Sequence, residues 1–241
     1  MTDHISKIDS DRFGFLIAKM NWFGEDPAIE IKRLKEEGVK LVMSRVSSAE
    51  IGLLNELEAI GFLTKDIQVT YSFNYTERTV LPDQQKTDFS LRDAIPSDTI
   101  QIAALARKAF HNYGHYFADT KLDRNKCDLI YEDWAMRSCT DKNIADKIIV
   151  AANGREVLGF LSFKKISAEK IIKGVMGAVS AGARGKGLFR AINIHGLHWA
   201  GIQDVERLQH NVIITNIPVN KTYAHLGFTV IQSEITLHKW L

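Results

Sequence analysis

Three features of the sequence predict an α/β chain built on a mixed sheet. β-rich and amphipathic segments alternate along its length, an Asn-Gly bend joins two apolar runs, and a glycine-rich bend opens straight into a helix. A polar seam, Leu81-Pro82-Asp83-Gln84-Gln85-Lys86-Thr87-Asp88, divides the chain into a first part, residues 1–81, a linker, 82–88, and a second part, 89–241. With 241 residues, 45% hydrophobic and 25% charged, the chain can bury one substantial core or two small ones.

In the first part, 26–37 reads as an amphipathic helix, 39–44 as a buried strand, 47–60 as a second helix and 67–73 as another strand. Ser47 with Glu50 has the form of a capping box, and Gly61 marks the helix stop. In the second part, the strand 88–92 feeds a helix over 100–110 that Ser97 is placed to cap. Residues 111–126 are polar and aromatic without periodicity, a loop, and 127–137 resumes a helical pattern through Ile130 and Trp134. Strands 147–152 and 157–163 flank Asn153-Gly154 as a hairpin, and 171–180 is a third strand. Then follow the bend 181–187, a helix over 188–200, a strand at 212–215, a helix over 219–226 and a last strand at 229–239. Aligning Gly61-Phe62 with Gly227-Phe228 superposes strand-helix-strand on strand-helix-strand, so the first part reads as half of the second, without its glycine bend.

Charge and composition narrow the function. Lys and Arg number 31 against 29 Asp and Glu, a formal charge of +2, which excludes wholesale electrostatic binding to nucleic acid or to an anionic membrane and makes any basic site local. Apolar stretches fall short of the ~20 residues a spanning helix needs. Asp3, Asp9 and Asp11 stand where a signal peptide would be basic and then apolar, so the expected location is the cytoplasm. Cys127 and Cys139 form neither a disulfide framework nor a zinc pattern, and no metal site is expected.

The bend carries the chemistry. Arg184-Gly185-Lys186-Gly187 at a helix start gathers backbone N–H groups, the positive helix end and cations in one concavity, joined by Arg190, and this fits a pyrophosphate. It is neither a P-loop nor a dinucleotide-binding fingerprint. A glycine-rich connector with solvated charges is the other reading of the same residues.

Around that bend the chain resembles the GNAT superfamily of acetyl-CoA-dependent N-acetyltransferases, whose pyrophosphate loop has the form Gln/Arg-x-x-Gly-x-Gly/Ala after the fourth strand. Here it reads Arg184-Gly185-Lys186-Gly187-Leu188-Phe189, with Phe189 where the family has a small residue. The later motif Asn-x-x-Ala-x-x-x-Tyr-x-x-x-Gly-Phe is met by Asn216, Tyr223, Gly227 and Phe228, with Val219 in the alanine place. The resemblance covers residues 88–241 and implies a GNAT fold preceded by a truncated GNAT-like half. It implies acetyl-CoA as cosubstrate, held by Gly177, Ala178 and Val179 on the strand, by Arg184 to Phe189 at the bend, and by Asn216. The strand would take the pantetheine arm as an added strand, and Tyr223 would be the general acid; a packed core tyrosine and a strand bulge are the other readings of these residues. With Phe13-Gly14-Phe15, Ala109-Phe110 and Trp134, the two-part layout resembles the bacterial enzymes that acetylate dTDP-linked amino-dideoxysugars for surface polysaccharide. The acceptor is then expected at the segment 110–117 and nearby, with His111, Tyr113, His115, Tyr116, Asp119, Tyr131 and Trp134 as candidates. Structural roles stay open for each. Acetylation of another small amine, and a catalytically idle acyl-CoA-binding module, are the alternatives; a homodimer is one assembly open to the chain.

Overall fold

A computed structural model describes residues 4–84 and 86–241. Gln85 of the expected linker, Asp3 of the acidic N-terminal trio, and Met1 and Thr2 lie outside the described residues. In chain order the elements are α1 (Lys7–Phe13), β1 (Ile17–Met20), α2 (Pro27–Glu36), β2 (Leu41–Ser47), α3 (Ile51–Ala59) and β3 (Leu63–Asn74). Next come β4 (Ser90–Asp93), α4 (Thr99–Ala109), α5 (Gly114–Ala118), α6 (Arg124–Thr140), β5 (Lys147–Asn153) and β6 (Glu156–Ile166). The chain ends with β7 (Ile171–Val179), α7 (Leu188–Gly201), β8 (Arg207–Ile213), α8 (Ile217–His225) and β9 (Thr229–Trp240). No helix of the described residues is long and apolar enough to cross a membrane.

Local chemistry places most of these elements. Asp26 accepts the Ala28 and Ile29 amides at 2.8 and 3.4 Å and Pro27 opens α2, whose Ile31 and Leu34 turn inward three residues apart. Two expected caps are not formed. Ser47 ends β2 rather than starting a helix, because Arg45 and Ser47 stay in register with Thr236 and Glu234 of β9; α3 begins four residues later, behind Glu50, which makes no side-chain cap bond. Ser97 sits inside a 3-10 turn, and the bonding there falls to Asp98, which accepts the Ile95 amide at 2.9 Å and pairs with Arg92 at 2.7 Å. The hairpin bend is one residue later than read: Asn153 pairs with Glu156, and Gly154, at φ +57°, turns the chain. The strand expected at 212–215 is β8, ending at Ile213, and the loop expected over 111–126 contains α5.

The described residues gather into two units. The first comprises Met1–Val69, Asn112–Cys127 and Gln232–Leu241. Its strand order is β1-β2-β9-β3, with β1 parallel to β2, and β2 antiparallel to β9 from Leu41↔Trp240 to Ser47↔Glu234. Alternation along these strands splits the faces. Ala18, Met20, Val42, Val46 and Leu237 pack with Leu34 of α2 and Leu54 and Leu57 of α3, whereas Lys19, Arg45, Thr236 and His238 fall on the other side. The second unit comprises Thr70–His111 and Asp128–Ile231, with the order β8-β7-β6-β5-β4 and helices α4, α6, α7 and α8. The units are therefore not the contiguous halves suggested by the seam. Residues 82–88 fall within the span of the second unit, and the first draws in the C-terminal end because β9 bonds β2 there.

The internal similarity has a counterpart in the backbone. In α3 the Gly61 amide bonds Glu58 O and the Phe62 amide bonds Leu57 O; in α8 the Gly227 amide bonds Ala224 O and the Phe228 amide bonds Tyr223 O. Both glycines lie at left-handed φ, +94° and +86°, where a Cβ would be strained. Leu57 occupies the place of Tyr223, so the first copy lacks the phenol as well as the glycine bend.

Candidate active site

The geometry starts with β7. It pairs with β6 throughout, but a bulge between Ser162 and Phe163 leaves Val175 out of register, so Gly174 and Gly177, three apart, turn to the same side. A Cβ on Gly177 would lie 2.7 Å from Leu161 Cδ1 and 3.5 Å from Phe189 Cε2; one on Gly174 would overlap the His210 ring. Pairing with β8 runs only from Ile171↔Arg207 to Gly174↔His210, although β7 continues to Val179 and β8 to Ile213. From Val175 to Val179, then, the other edge of β7 has no strand partner among the described residues. Gly177 and Val179 are half-buried on it and Ala178 is buried. An open run of amides and carbonyls beside a parting pair of strands accepts an extended ligand chain.

That edge ends in the cationic bend. After a 3-10 turn, Ala181–Ala183, come the exposed Arg184, Gly185, Lys186 and Gly187. Gly185 and Gly187 take φ of +75° and +77°, and a Cβ at either would meet open space, so the glycines serve backbone conformation and close approach. Gly187 caps α7 without a side-chain bond, and the first backbone bond of the helix is Ala191 N–H to Gly187 O at 2.9 Å. The amides ahead of it lie at the positive helix end, an arrangement suited to an anion. Nη1 of the half-buried Arg190 is buried there with no hydrogen-bond partner among the described residues.

Helix α8 brings Tyr223 to the same unit. Asn216 precedes the helix without a side-chain cap bond; its carbonyl accepts the Asn220 amide and, at 2.8 Å, Asn220 Nδ2, which also reaches Ile213 O at 3.1 Å. Asn220 therefore latches this turn, a role without a sequence signal beyond helical spacing. Tyr223 is 4% exposed, inside a ring cluster of Tyr71, Phe189, His210 and Phe228 at centroid distances of 4.8 to 5.9 Å. Phe189, the large residue of the bend motif, joins the start of α7 to both Gly177 and Tyr223. Leu188 is buried beneath the bend.

The expected acceptor residues divide between the units. In the second unit, exposed His111 pairs through Nδ1 with Asp128 at 2.9 Å, buried Tyr131 stacks on Phe110 at 4.7 Å, and Trp134 is 36% exposed. In the first, Tyr113 flanks α5, and Tyr116, buried, donates to Asp9 Oδ1 at 3.0 Å. Asp119, His238 and His115 form a chain: Asp119 Oδ2 lies 2.8 Å from His238 Nδ1, and His238 Nε2 lies 2.9 Å from His115 Nδ1. An ionised Asp119 only accepts, so the proton of that bond sits on His238 Nδ1. Burial opposes ionisation of Asp119, but bonds from His238, Trp240 and the Lys121 amide, with Lys65 nearby, hold its carboxyl far below the usual range. Burial, with His238, Arg45 and Lys19 adding to it, keeps the His115 imidazole neutral well below 6.5. Asp9 is likewise held low: burial raises it, and Lys19 at 2.6 Å, Ser6 and Tyr116 outweigh that. Lys19 and His238 were not singled out from the sequence, and Asp9 entered it only as one of the acidic residues near the start.

No protein-family model and no curated protein matches the chain. Solved structures do. A GCN5-related N-acetyltransferase from Sphaerobacter thermophilus superposes with a TM-score of 0.65 at 13% identity, covering 95% of this chain and 74% of that one. The chain has the GNAT fold. A tandem GNAT protein from the clavulanic acid biosynthesis pathway gives 0.66 at 12% identity over 93% and 75% of the two chains. A GCN5-related N-acetyltransferase from Kribbella flavida gives 0.63 at 12% identity over 93% and 81%. In GNAT terms the open edge of β7, the cationic bend and Tyr223 all fall in the second unit, on the parts of the sequence that carry the resemblance.

Proposed function

We propose that the chain is an acetyl-CoA-dependent N-acetyltransferase acting in the cytoplasm. The observation that carries this reading is the parting of β7 from β8 after Gly174↔His210, with the exposed Arg184-Gly185-Lys186-Gly187 bend at the end of the open edge. Acetyl-CoA fits what is there: Gly177, Ala178 and Val179 offer backbone to a pantetheine arm, and the amides from Gly185 to Phe189, with Arg184, Lys186 and Arg190, take the diphosphate. Asn216 shapes the turn that delivers α8. Bound acetyl-CoA supplies an activated acyl carbonyl. Tyr223 holds a proton at Oη for the departing sulfur; a phenol, with an ordinary pKa of ~10, is a weaker acid than a thiol by roughly one to two units, so the transfer is only slightly uphill. The amine attacks directly in a ternary complex.

The narrower reading is that the amine belongs to a dTDP-linked amino-dideoxysugar, at the 3- or 4-position, for bacterial surface polysaccharide. Its support is the two-part layout of the sequence and the aromatic segment 110–117, with Tyr113 and His115 half-buried and His111 and Trp134 exposed. Tyr116, Asp119 and Tyr131 already make contacts within their own units. We read residues 1–81 as a degenerate half-copy of the catalytic part, supported by Leu57 in the place of Tyr223.

Calorimetric titration with acetyl-CoA, then thiol release over a panel of amines including dTDP-amino sugars, tests both levels. Tyr223→Phe is expected to keep acetyl-CoA affinity and lower kcat about 100-fold. Unchanged turnover in a folded variant removes the acid role. Binding without release for every amine makes the protein an acyl-CoA-binding module, and release with other amines alone overturns the sugar.

A further inference from the structure

The ring packed face to face with Tyr223 is an imidazole in the midst of hydrocarbon. His210 leaves β8 opposite Gly174, at the last pair before the strands part, and stacks on the phenol with centroids 4.8 Å apart and 9° between planes. Phe228 and Phe163 close other sides at 5.3 and 6.1 Å. Room for the ring is made at Gly174, where any Cβ would overlap Nδ1 and Cε1. His210 is 2% exposed, and its Nε2 is buried with no hydrogen-bond partner among the described residues. Phenylalanine would fill this niche without stranding a polar atom, and buried polar atoms are otherwise paired. A second stranded atom borders the same cluster. Asn193, one turn along α7 from Phe189 and 1% exposed, donates to Phe189 O at 2.8 Å and leaves Oδ1 unpaired.

Burial also decides the charge of His210, pushing its pKa down to about 3, so that the imidazole is neutral at any physiological pH. A neutral imidazole retains one N–H donor. The thioester group itself presents acceptors and no donor, so a nitrogen that bonds it must carry the proton. A fixed neutral donor in a dry site stabilises negative charge developing on a carbonyl oxygen without giving up its proton.

We propose that His210 is a catalytic residue whose Nε2–H donates to the thioester carbonyl oxygen of acetyl-CoA. This rests on the acyl-transfer reading above. The amine lone pair forms the new C–N bond and the carbonyl π pair moves onto oxygen, against His210. When that oxygen re-forms its double bond, the C–S bond breaks with its electron pair on sulfur, and sulfur takes the Tyr223 proton. The phenolate regains a proton through solvent from the nitrogen that attacked. His210 ends the cycle in the protonation state in which it began it.

The test uses the full chain, with the phenylalanine and glutamine variants of His210 and ¹⁵N NMR of the wild-type imidazole during titration with acetyl-CoA. The expected results are a neutral ring protonated on Nε2, and an Nε2 resonance that moves on saturation. His210→Phe should fold, bind acetyl-CoA within about 3-fold of wild type and lose about 100-fold in kcat, with His210→Gln recovering part as a donor. Wild-type kcat in His210→Phe, or an unprotonated Nε2 in the complex, overturns the assignment. Resonances unmoved by acetyl-CoA that does bind sink this inference alone; a wild-type protein that binds none sinks the acyl-transfer reading and this one with it.

Discussion

Two glycines on β7 show how a single residue is read differently alone and in place. Gly174 and Gly177 are visible in the sequence as gaps in a strand, suited to a ligand chain or to a bulge. The bulge is there, and both glycines also make room for a neighbour: His210 at one, Leu161 and Phe189 at the other. None of these three lies within ten residues of its glycine, so spacing had no means of naming them. Gly174→Ala is therefore expected to lower unfolding free energy by about 2 kcal/mol through overpacking against the imidazole. Denaturant melts of Gly174→Ala alone and combined with His210→Ala check this, since the second change removes the obstacle and should relieve part of the loss.

At the level of elements, the bend between β7 and α7 was readable because glycine, cation and helix start are encoded within a few adjacent residues. Arg184 and Lys186 are exposed and form no salt bridge among the described residues, so their removal is expected to leave the fold intact. Arg184→Ala with Lys186→Ala is expected to weaken acetyl-CoA binding about 10-fold at low salt, with the gap narrowing as salt screens exposed charge, and an unchanged melting temperature. Calorimetry at two ionic strengths reads this directly. The paired helix ends at Gly61-Phe62 and Gly227-Phe228 were legible for the same reason, being local hydrogen-bond motifs. Ser47 and Ser97 misled because a cap is decided by where the neighbouring strand or turn ends, and partners such as Thr236, far along the chain, set that.

For the molecule as a whole, histidines shielded from water govern the response to acid. His210 and His115 are neutral in the folded chain because burial pushes their pKa values down, whereas unfolded histidines bind protons below ~6.5. The unfolded chain then holds more protons, so stability falls as pH drops below that value, with a slope of about 1.4 kcal/mol per pH unit for each such histidine. Asp9 and Asp119 act lower. Their folded pKa values are depressed, so their contribution is present above the ordinary carboxylate value and is lost only as pH falls through the folded one. Urea melts between pH 4.5 and 7.5 should show this decline, and His210→Phe should flatten it by about 1.4 kcal/mol per pH unit. An identical slope in the variant would mean that His210 is already charged in the folded state.

Short-range pattern carried the α/β class, the order of strands and helices in the second part apart from α5, the glycine-rich cationic bend and the candidacy of Tyr223. The tertiary structure alone decided what surrounds them. The unpaired edge of β7, the imidazole on Tyr223 and the Asp119–His238–His115 chain join residues up to 123 positions apart, and such meetings depend on strand register and on which faces are buried together. The same dependence sent Tyr116, Asp119 and Tyr131 into internal contacts, although in the sequence they are indistinguishable from their exposed neighbours.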